Sequence, residues 1–292
     1  LLTARSNAFT QIFYEWKKPM DLVVFDLDGT LLNGASKLSP FTIDTLGKMN
    51  RSGVAFTVAT GRTFHGAIDL LDGHGFQLPH IYKNGVVIWH PKKQVYTHRY
   101  LLIESEIRHI IDAFMSRDVC PFIFTLDKND RHAIYHPPLN NTVEERLAEM
   151  LGQQGRVPVL PVSDLPGDVD ITNISAIAPA LAIDPVAELV ACEPGLISFT
   201  GDAIEDKQLR WIDIHHHEGN KGAAISTLKH ELGVSRVLCF GDSDNDLSMF
   251  IMADEAYAPL NAKAHIKDAA TDVIGHHDKD GVAKFLVERY SL

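Results

Sequence analysis

Several aspartates in this chain stand where apolar runs stop. Leu22-Val23-Val24-Phe25 passes straight into Asp26-Leu27-Asp28-Gly29-Thr30, and the run ending at Phe240 passes into Gly241-Asp242-Ser243-Asp244-Asn245-Asp246. A third run ends at Ala59 and gives way to Thr60-Gly61-Arg62. If these runs are strands of an open parallel sheet, their ends meet at one crevice, because ligands of such sheets lie beyond the carboxyl ends of the strands. Asp26, Asp28, Asp242 and Asp246 would then crowd their charges together and raise one another's pKa unless a cation offset them. A hard cation with oxygen ligands does so. Mg²⁺ suits the site, since it takes one or two carboxylates, keeps waters and shares its shell with a substrate phosphate. Thr60, Lys221 and the backbone N–H groups near Gly29 and Gly61 can hold phosphate oxygens, which leaves Asp26 free to attack phosphorus. The chemistry this inventory supports is phosphoryl transfer through an aspartyl-phosphate.

Such a site needs elements that bring the three strand ends together. From Leu22 the sequence alternates short apolar runs with helical patterns, which predicts an α/β core with a doubly wound, Rossmann-like parallel sheet. Its pieces are a strand over 22–25, a helix striped by Ile43, Leu46 and Met49, a strand over 54–59, a helix striped by Phe64, Ala67, Ile68 and Leu71, and a fourth short run at Ile81-Tyr82. After about Gly85 strands come in runs, which predicts a separate α+β unit. Its strands are expected at 122–126, 133–135, 171–178, 196–200 and 209–214, with helices striped by Ile107, Ile110 and Phe114, by Val143, Leu147 and Met150, and by Ile183, Val186 and Val190. Near Gly219 the first pattern returns, with a helix bearing Ile225 and Leu228, a strand over 237–240 and a helix opening near Leu247. One unit therefore interrupts the other: a core of residues 20–85 and 217–292, and an inserted cap over 86–216. Residues 1–19 carry no continuous apolar segment and do not begin with Met, so they are read as an N-terminal extension or cloning remnant.

On these residues the chain resembles the haloacid dehalogenase (HAD) superfamily, and within it the Cof-type sugar-phosphate phosphatases with an inserted class IIB cap. Asp26-Leu27-Asp28-Gly29-Thr30-Leu31-Leu32 matches the first motif of that superfamily, Ala59-Thr60-Gly61-Arg62 the second, Lys221 with Gly222 the third, and Gly241-Asp242-Ser243-Asp244-Asn245-Asp246 the fourth. Lys83-Asn84-Gly85 and Asp280-Gly281-Val282-Ala283 also look like segments of that family. The resemblance implies that Asp26 is the nucleophile and a metal ligand, that Asp242 is a second ligand, and that Asp28 gives its carbonyl to the metal while its side chain serves as general acid and base. It further implies that Thr60, Gly61, Asn84 and Lys221 bind the phosphoryl group, and that Asn245 and Asp246 support the metal, the lysine or the substrate. Arg62 is expected to form an ion pair behind the site rather than to touch substrate. An aspartate at position 28 fits phosphatases and phosphomutases, and fits dehalogenases and ion pumps badly.

Composition removes other classes. The 292 residues give length for two domains at about 150 residues each. Lys and Arg number 27 against 38 Asp and Glu, a net charge of −11, so nucleic acid is not an expected partner. No apolar stretch approaches the roughly 20 residues that span a bilayer. Cys120, Cys192 and Cys239 lie far apart among apolar neighbours and read as buried thiols of a cytoplasmic, reducing compartment. His215-His216-His217 and His276-His277 are read as mostly surface rather than zinc ligands, because adjacent side chains turn different ways and no spaced partners accompany them. The resemblance implies a small phosphomonoester as substrate, with sugar phosphates, pyridoxal phosphate, flavin mononucleotide and other such esters all left open. Alternatives are a phosphomutase that uses the same aspartyl-phosphate and a non-catalytic phosphometabolite-binding protein.

Overall fold

The computed structural model describes residues 21–153, 157–167, 169–203 and 206–292, so the extension expected at 1–19 lies outside the described residues. Two sheets dominate. The first is parallel, with strands β1 (Asp21–Phe25), β2 (Ala55–Val58), β12 (Arg236–Phe240), β13 (Glu255–Pro259) and β14 (Asp272–Ile274) in the spatial order β14-β13-β12-β1-β2. Every second side chain of β1 points to each face. Val23 and Phe25 enter one apolar cluster and Leu22 and Val24 another, and all four are fully buried. Burying each such side chain contributes about 1.5–3 kcal/mol, which makes this strand the axis of the unit. Helices α1 (Pro40–Arg51), α2 (Phe64–Leu71), α6 (Lys221–Leu232), α7 (Leu247–Met252), α8 (Ala264–Ala269) and α9 (Gly281–Tyr290) accompany the sheet.

Local chemistry explains where these helices start. Ser39 Oγ accepts from Thr42 N at 3.0 Å and Pro40 takes the first helical position, a strong start for α1. Asn220 Oδ1 accepts from Ala223 N at 2.9 Å to open α6, which places Lys221 at the first helical residue. In α1 the expected stripe holds at Leu46 and Met49, whereas Ile43 is exposed.

The expected run at Ile81-Tyr82 lies in β3 (His80–Tyr82), which joins a separate three-stranded antiparallel sheet with β4 (Val87–His90) and β5 (Val95–Arg99). A parallel bridge between Ala59 and Ile81 links it to the β2 side of the first sheet. Val86, Val87, Trp89 and Tyr96 enter the same apolar cluster as Val23 and Phe25.

The second large sheet has six strands: β6 (Phe122–Leu126), β7 (His132–His136), β8 (Val159–Pro161), β9 (Asp170–Pro179), β10 (Leu196–Asp202) and β11 (Leu209–His216), ordered β10-β11-β9-β6-β7-β8. It is antiparallel except where β7 meets β8. Helices α3 (Glu104–Met115) and α5 (Ala180–Ala191) cover one face, with Ile107, Ile110, Phe114, Ile183 and Val186 packed against Ile174, Ile212 and Ile214. A further helix, α4 (Thr142–Gln153), sets Leu147 and Leu151 against Phe122, Phe124 and Ile134.

Besides Ile43, expectations fail at three single residues: Met150, expected on the stripe of α4, is exposed, and the other two are Cys192 and His215. Cys192 is exposed, because α5 ends at Ala191 and the cysteine falls in the turn that follows, while Cys120 and Cys239 are buried. His215 is fully buried, because β11 runs on through it and carries its ring against Phe199.

Candidate active site

The parallel sheet reverses its strand order between β1 and β12, so a crevice opens beyond their carboxyl ends. Asp26 follows β1 and Asp242 follows β12. After Phe25 the chain makes one wide turn, with Leu32 N donating to Leu27 O at 2.9 Å and Gly29 in the left-handed region at φ 77°. A Cβ at Gly29 would lie 2.5 Å from Asp242 Oδ2, so only glycine lets the turn carrying Asp28 close against the end of β12.

Lys221 is fully buried beneath this turn, and its Nζ donates to Asp26 Oδ1 and to Asp246 Oδ1, each at 2.6 Å. A lysine at a helix N-terminus faces the unfavourable end of the helix dipole, and here the two carboxylates offset that cost. Burial opposes its charge, yet Asp246 and Asp26 outweigh burial and raise its pKa. Asp246 Oδ2 also accepts from the backbone N–H groups of Asp242 at 2.8 Å and Ser243 at 2.9 Å, which pins the loop. Burial raises Asp26 well above the usual carboxylate range, and Asp246 and Asp242 add to it against the pull of Lys221. Burial, reinforced by Asp246, pushes Asp242 up to about 6.

One carboxylate oxygen each from Asp26, Asp242 and Asp246 lie within 4.8 Å of one another. Three carboxylates around one ammonium leave excess negative charge, and their oxygen-only donor set fits a hard divalent cation. Asp246 already spends its oxygens on Lys221 and two amides, so Asp26 and Asp242 are the carboxylates with capacity to hold it.

The remaining expected residues surround the same cavity. Thr60 Oγ1 accepts from Arg62 N at 3.1 Å, and Asn84 N donates to Thr60 O at 2.9 Å. Lys83 and Asn84 are both left-handed, at φ 49° and 57°, a strain of about 1–3 kcal/mol each that the contacts with Thr60 and Arg62 hold in place. Asn245 Nδ2 donates to Asn84 Oδ1 at 2.8 Å, joining the loop after β12 to the loop after β3. Gly61 lines the cavity with Asp26, Asp28, Thr60, Asn84 and Asp242, while Lys221 and Asp246 lie behind Asp26. Arg62 grips the Asp28 carboxylate with Nε and Nη2, both at 2.6 Å, and the pair raises the Arg62 pKa.

Sequence reasoning missed several participants. Thr30 Oγ1 and Ser243 Oγ donate to Asp242 at 3.3 and 3.2 Å, and Asn261 Nδ2 donates to Gly29 O at 2.7 Å. The first two sit inside the quoted motifs and could have been noticed there, whereas nothing local marks Asn261. Lys83 is the larger omission. Nearly fully buried, its Nζ donates to Thr172 Oγ1 at 2.9 Å and to Asn173 Oδ1 on β9, and lies 4.1 Å from the centre of the Phe124 ring. Burial lowers it to about 7, with Asp213 opposing.

Away from this cavity, one ligand atom each of His276, His277 and Asp278 also lie within 4.8 Å, contrary to the expectation that adjacent side chains diverge. The short helical turn over His277–Lys279 stacks the two imidazoles, and His277 Nδ1 is already bonded to Leu32 O at 2.8 Å.

The haloacid dehalogenase-like hydrolase family model matches residues 23–286. The chain is 24% identical to the 5-amino-6-(5-phospho-D-ribitylamino)uracil phosphatase YitU of Bacillus subtilis, over 93% of this chain and 98% of that protein. It is 22% identical to the pyridoxal phosphate phosphatase YbhA of Escherichia coli, over 91% and 97% respectively. A solved haloacid dehalogenase-like hydrolase from B. subtilis superposes with a TM-score of 0.76 at 22% identity, over 91% of this chain and 99% of that one. With its motifs in order along the chain and their residues gathered at the ends of β1, β2 and β12, this chain belongs to the haloacid dehalogenase-like hydrolases.

Proposed function

We propose that this phosphatase of the HAD superfamily hydrolyses small phosphomonoesters with Mg²⁺, through a phosphoryl group carried on Asp26. The observation that carries this reading is the Asp26–Lys221–Asp246 chain beside Asp242, at the end of one cavity that also holds Thr60 and Asn84. An Asp26 carboxylate oxygen attacks phosphorus and the ester P–O bond breaks, while Asp28 gives its proton to the departing alkoxide. Water then attacks the same phosphorus, Asp28 takes its proton, and Asp26 and inorganic phosphate are released. Acid–base help of this kind contributes about 10²–10⁴-fold. The Arg62 grip places Asp28 at the cavity wall, and one of its oxygens must leave Arg62 to exchange that proton.

Thr60, Asn84 and the Gly61 backbone hold the phosphoryl oxygens, and Lys221 offsets charge as they bind. Mg²⁺ would be held by Asp26, Asp242 and the Asp28 carbonyl, and when bound it supplies the positive charge that lets a carboxylate approach an anionic phosphate. The inserted segment 86–216 acts as the cap that excludes water and chooses the leaving group. Among the described residues no helix is long and apolar enough to cross a membrane, and the free cysteines suit the cytoplasm. The experiment is a phosphate-release screen over metabolite esters, with Mg²⁺ and with chelator. Release that needs the metal, needs Asp26 and needs no bisphosphate activator supports the phosphatase; dependence on an activator would mean a mutase.

A further inference from the structure

The far wall of the cavity is one face of the six-stranded sheet, and the mechanism above uses none of its residues. Along β11, Ile212 and Ile214 enter the apolar cluster under α3 and α5, so Trp211 and Asp213 face the other way and line the cavity. Asp213 stands opposite Phe199 of β10 and Ser175 of β9. Trp211 is 40% exposed, and its indole lies over Gly201 of β10, where a Cβ would come within 2.7 Å of the ring. A glycine at that pairing seats a large aromatic ring flat against the strand; any other residue would lift it. Phe199 lines the cavity beside it.

Asp213 is oriented by a chain of bonds that begins in the other unit. β9 bulges: Phe124 faces Asn173 but Thr125 faces Ile171, so Thr172 is an extra residue and both Thr172 and Asn173 reach the Lys83 ammonium. The Asn173 carbonyl accepts from Lys83, so the Asn173 amide N–H points away from it. That amide donates to Asp213 Oδ1 at 2.7 Å, and Ser175 Oγ donates to the same oxygen at 2.6 Å. Among the described residues nothing is bonded to Asp213 Oδ2. The wall therefore offers a fixed carboxylate on the same face as Trp211 and Phe199, in a cavity of about 880 Å³ that Asp26 also lines. That volume is at the large end for small-ligand sites and leaves room for a ring system beyond the phosphate.

We propose that this wall is the leaving-group site and selects phosphomonoesters whose far end is a flat, nitrogen-bearing aromatic ring, its face against Trp211 and Phe199 and an N–H or O–H donor on Asp213. This deepens the phosphatase reading and rests on it. Lys83 is a positioning residue, acting through Asn173.

The test compares kcat/KM for phosphate release from pyridoxal phosphate and flavin mononucleotide with that from glucose 6-phosphate and glycerol phosphate, using acetyl phosphate as a substrate without a ring. The wild-type protein is expected to favour a ring ester at least tenfold, and Trp211→Leu to lower the ring-to-sugar ratio about tenfold, the size of one aromatic stacking contact. Asp213→Asn should lower the same ratio. Folding is checked by thermal unfolding, and by a second reading that does not need turnover. Flavin mononucleotide should quench tryptophan fluorescence of the Asp26→Asn protein, and that quenching should be lost when Trp211→Leu is added. A sugar ester preferred by the wild type, or a ratio that Trp211→Leu leaves unchanged, overturns the assignment. Acetyl phosphate hydrolysed with none of the four esters turned over overturns it too, with the phosphatase reading intact. Absence of turnover on all five takes both readings down.

Discussion

The two walls of the cavity bury a lysine each, and they treat it in opposite ways. Lys221, under the parallel sheet, is ringed by Asp26 and Asp246 and stays charged. Lys83, at the wall made by the six-stranded sheet, meets a hydroxyl, an amide oxygen and the Phe124 ring, and is lowered to about 7. Charge is clustered where phosphorus would react, whereas the opposite wall sets the fixed Asp213 carboxylate among polar and aromatic side chains. On the proposed reading, chemistry and selection fall to separate walls, so each can change without dismantling the other.

Several substitutions break or sharpen this contrast. Asp26→Asn removes the proposed nucleophile and should lower kcat at least about 10⁴-fold in phosphate-release assays. Lys221→Met leaves Asp26 and Asp246 without their counter-charge and should cost about 3–5 kcal/mol in urea unfolding with chelator present. Lys83→Met loses two hydrogen bonds but also an ammonium bonded only to neutral groups, so the same measurement should move by less than about 1 kcal/mol.

The sign of the pH dependence separates the lysines further. Lys83 falls from its ordinary 10.5 to about 7 in the folded chain. Between those values the unfolded chain binds more protons, so stability should rise with pH across that window, and Lys83→Met should remove that rise. Equal slopes in the two proteins would show that Lys83 keeps its charge. The smallest effect belongs to Arg62→Ala. The pair with Asp28 is 25% and 50% exposed at its two side chains, so stability should fall by under about 1 kcal/mol. Loss of activity should show mainly in kcat, as Asp28 loses its orientation.

What could be read from the sequence divides along the same line. The reactive wall is built from residues that directly follow apolar strands, so Asp26, Thr60 and Asp242 announce themselves by the change from apolar to polar at each strand end. The strands of the second sheet were readable too, since β6, β9 and β11 carry long β-branched and aromatic runs. Its working face was not. Thr172 and Asn173 share Lys83 only because of a bulge, and Trp211 is held by a glycine on a neighbouring strand. Neither feature leaves a local periodic signal. Strands β4, β5, β8, β13 and β14 were not anticipated from the sequence. The Arg62–Asp28 grip was anticipated only as an ion pair without a named partner, since pairing across 34 residues depends on how β1 and β2 align.

The most direct test of the central claim is to quench the Asp28→Asn protein with acid during turnover of a good ester and map the phosphoryl adduct by mass spectrometry. A covalent phosphoryl group on Asp26, accumulating because its hydrolysis has lost the base, is the predicted result. Turnover with no adduct on Asp26, together with inversion of configuration at a chiral phosphorus, would show direct attack by water and contradict the account.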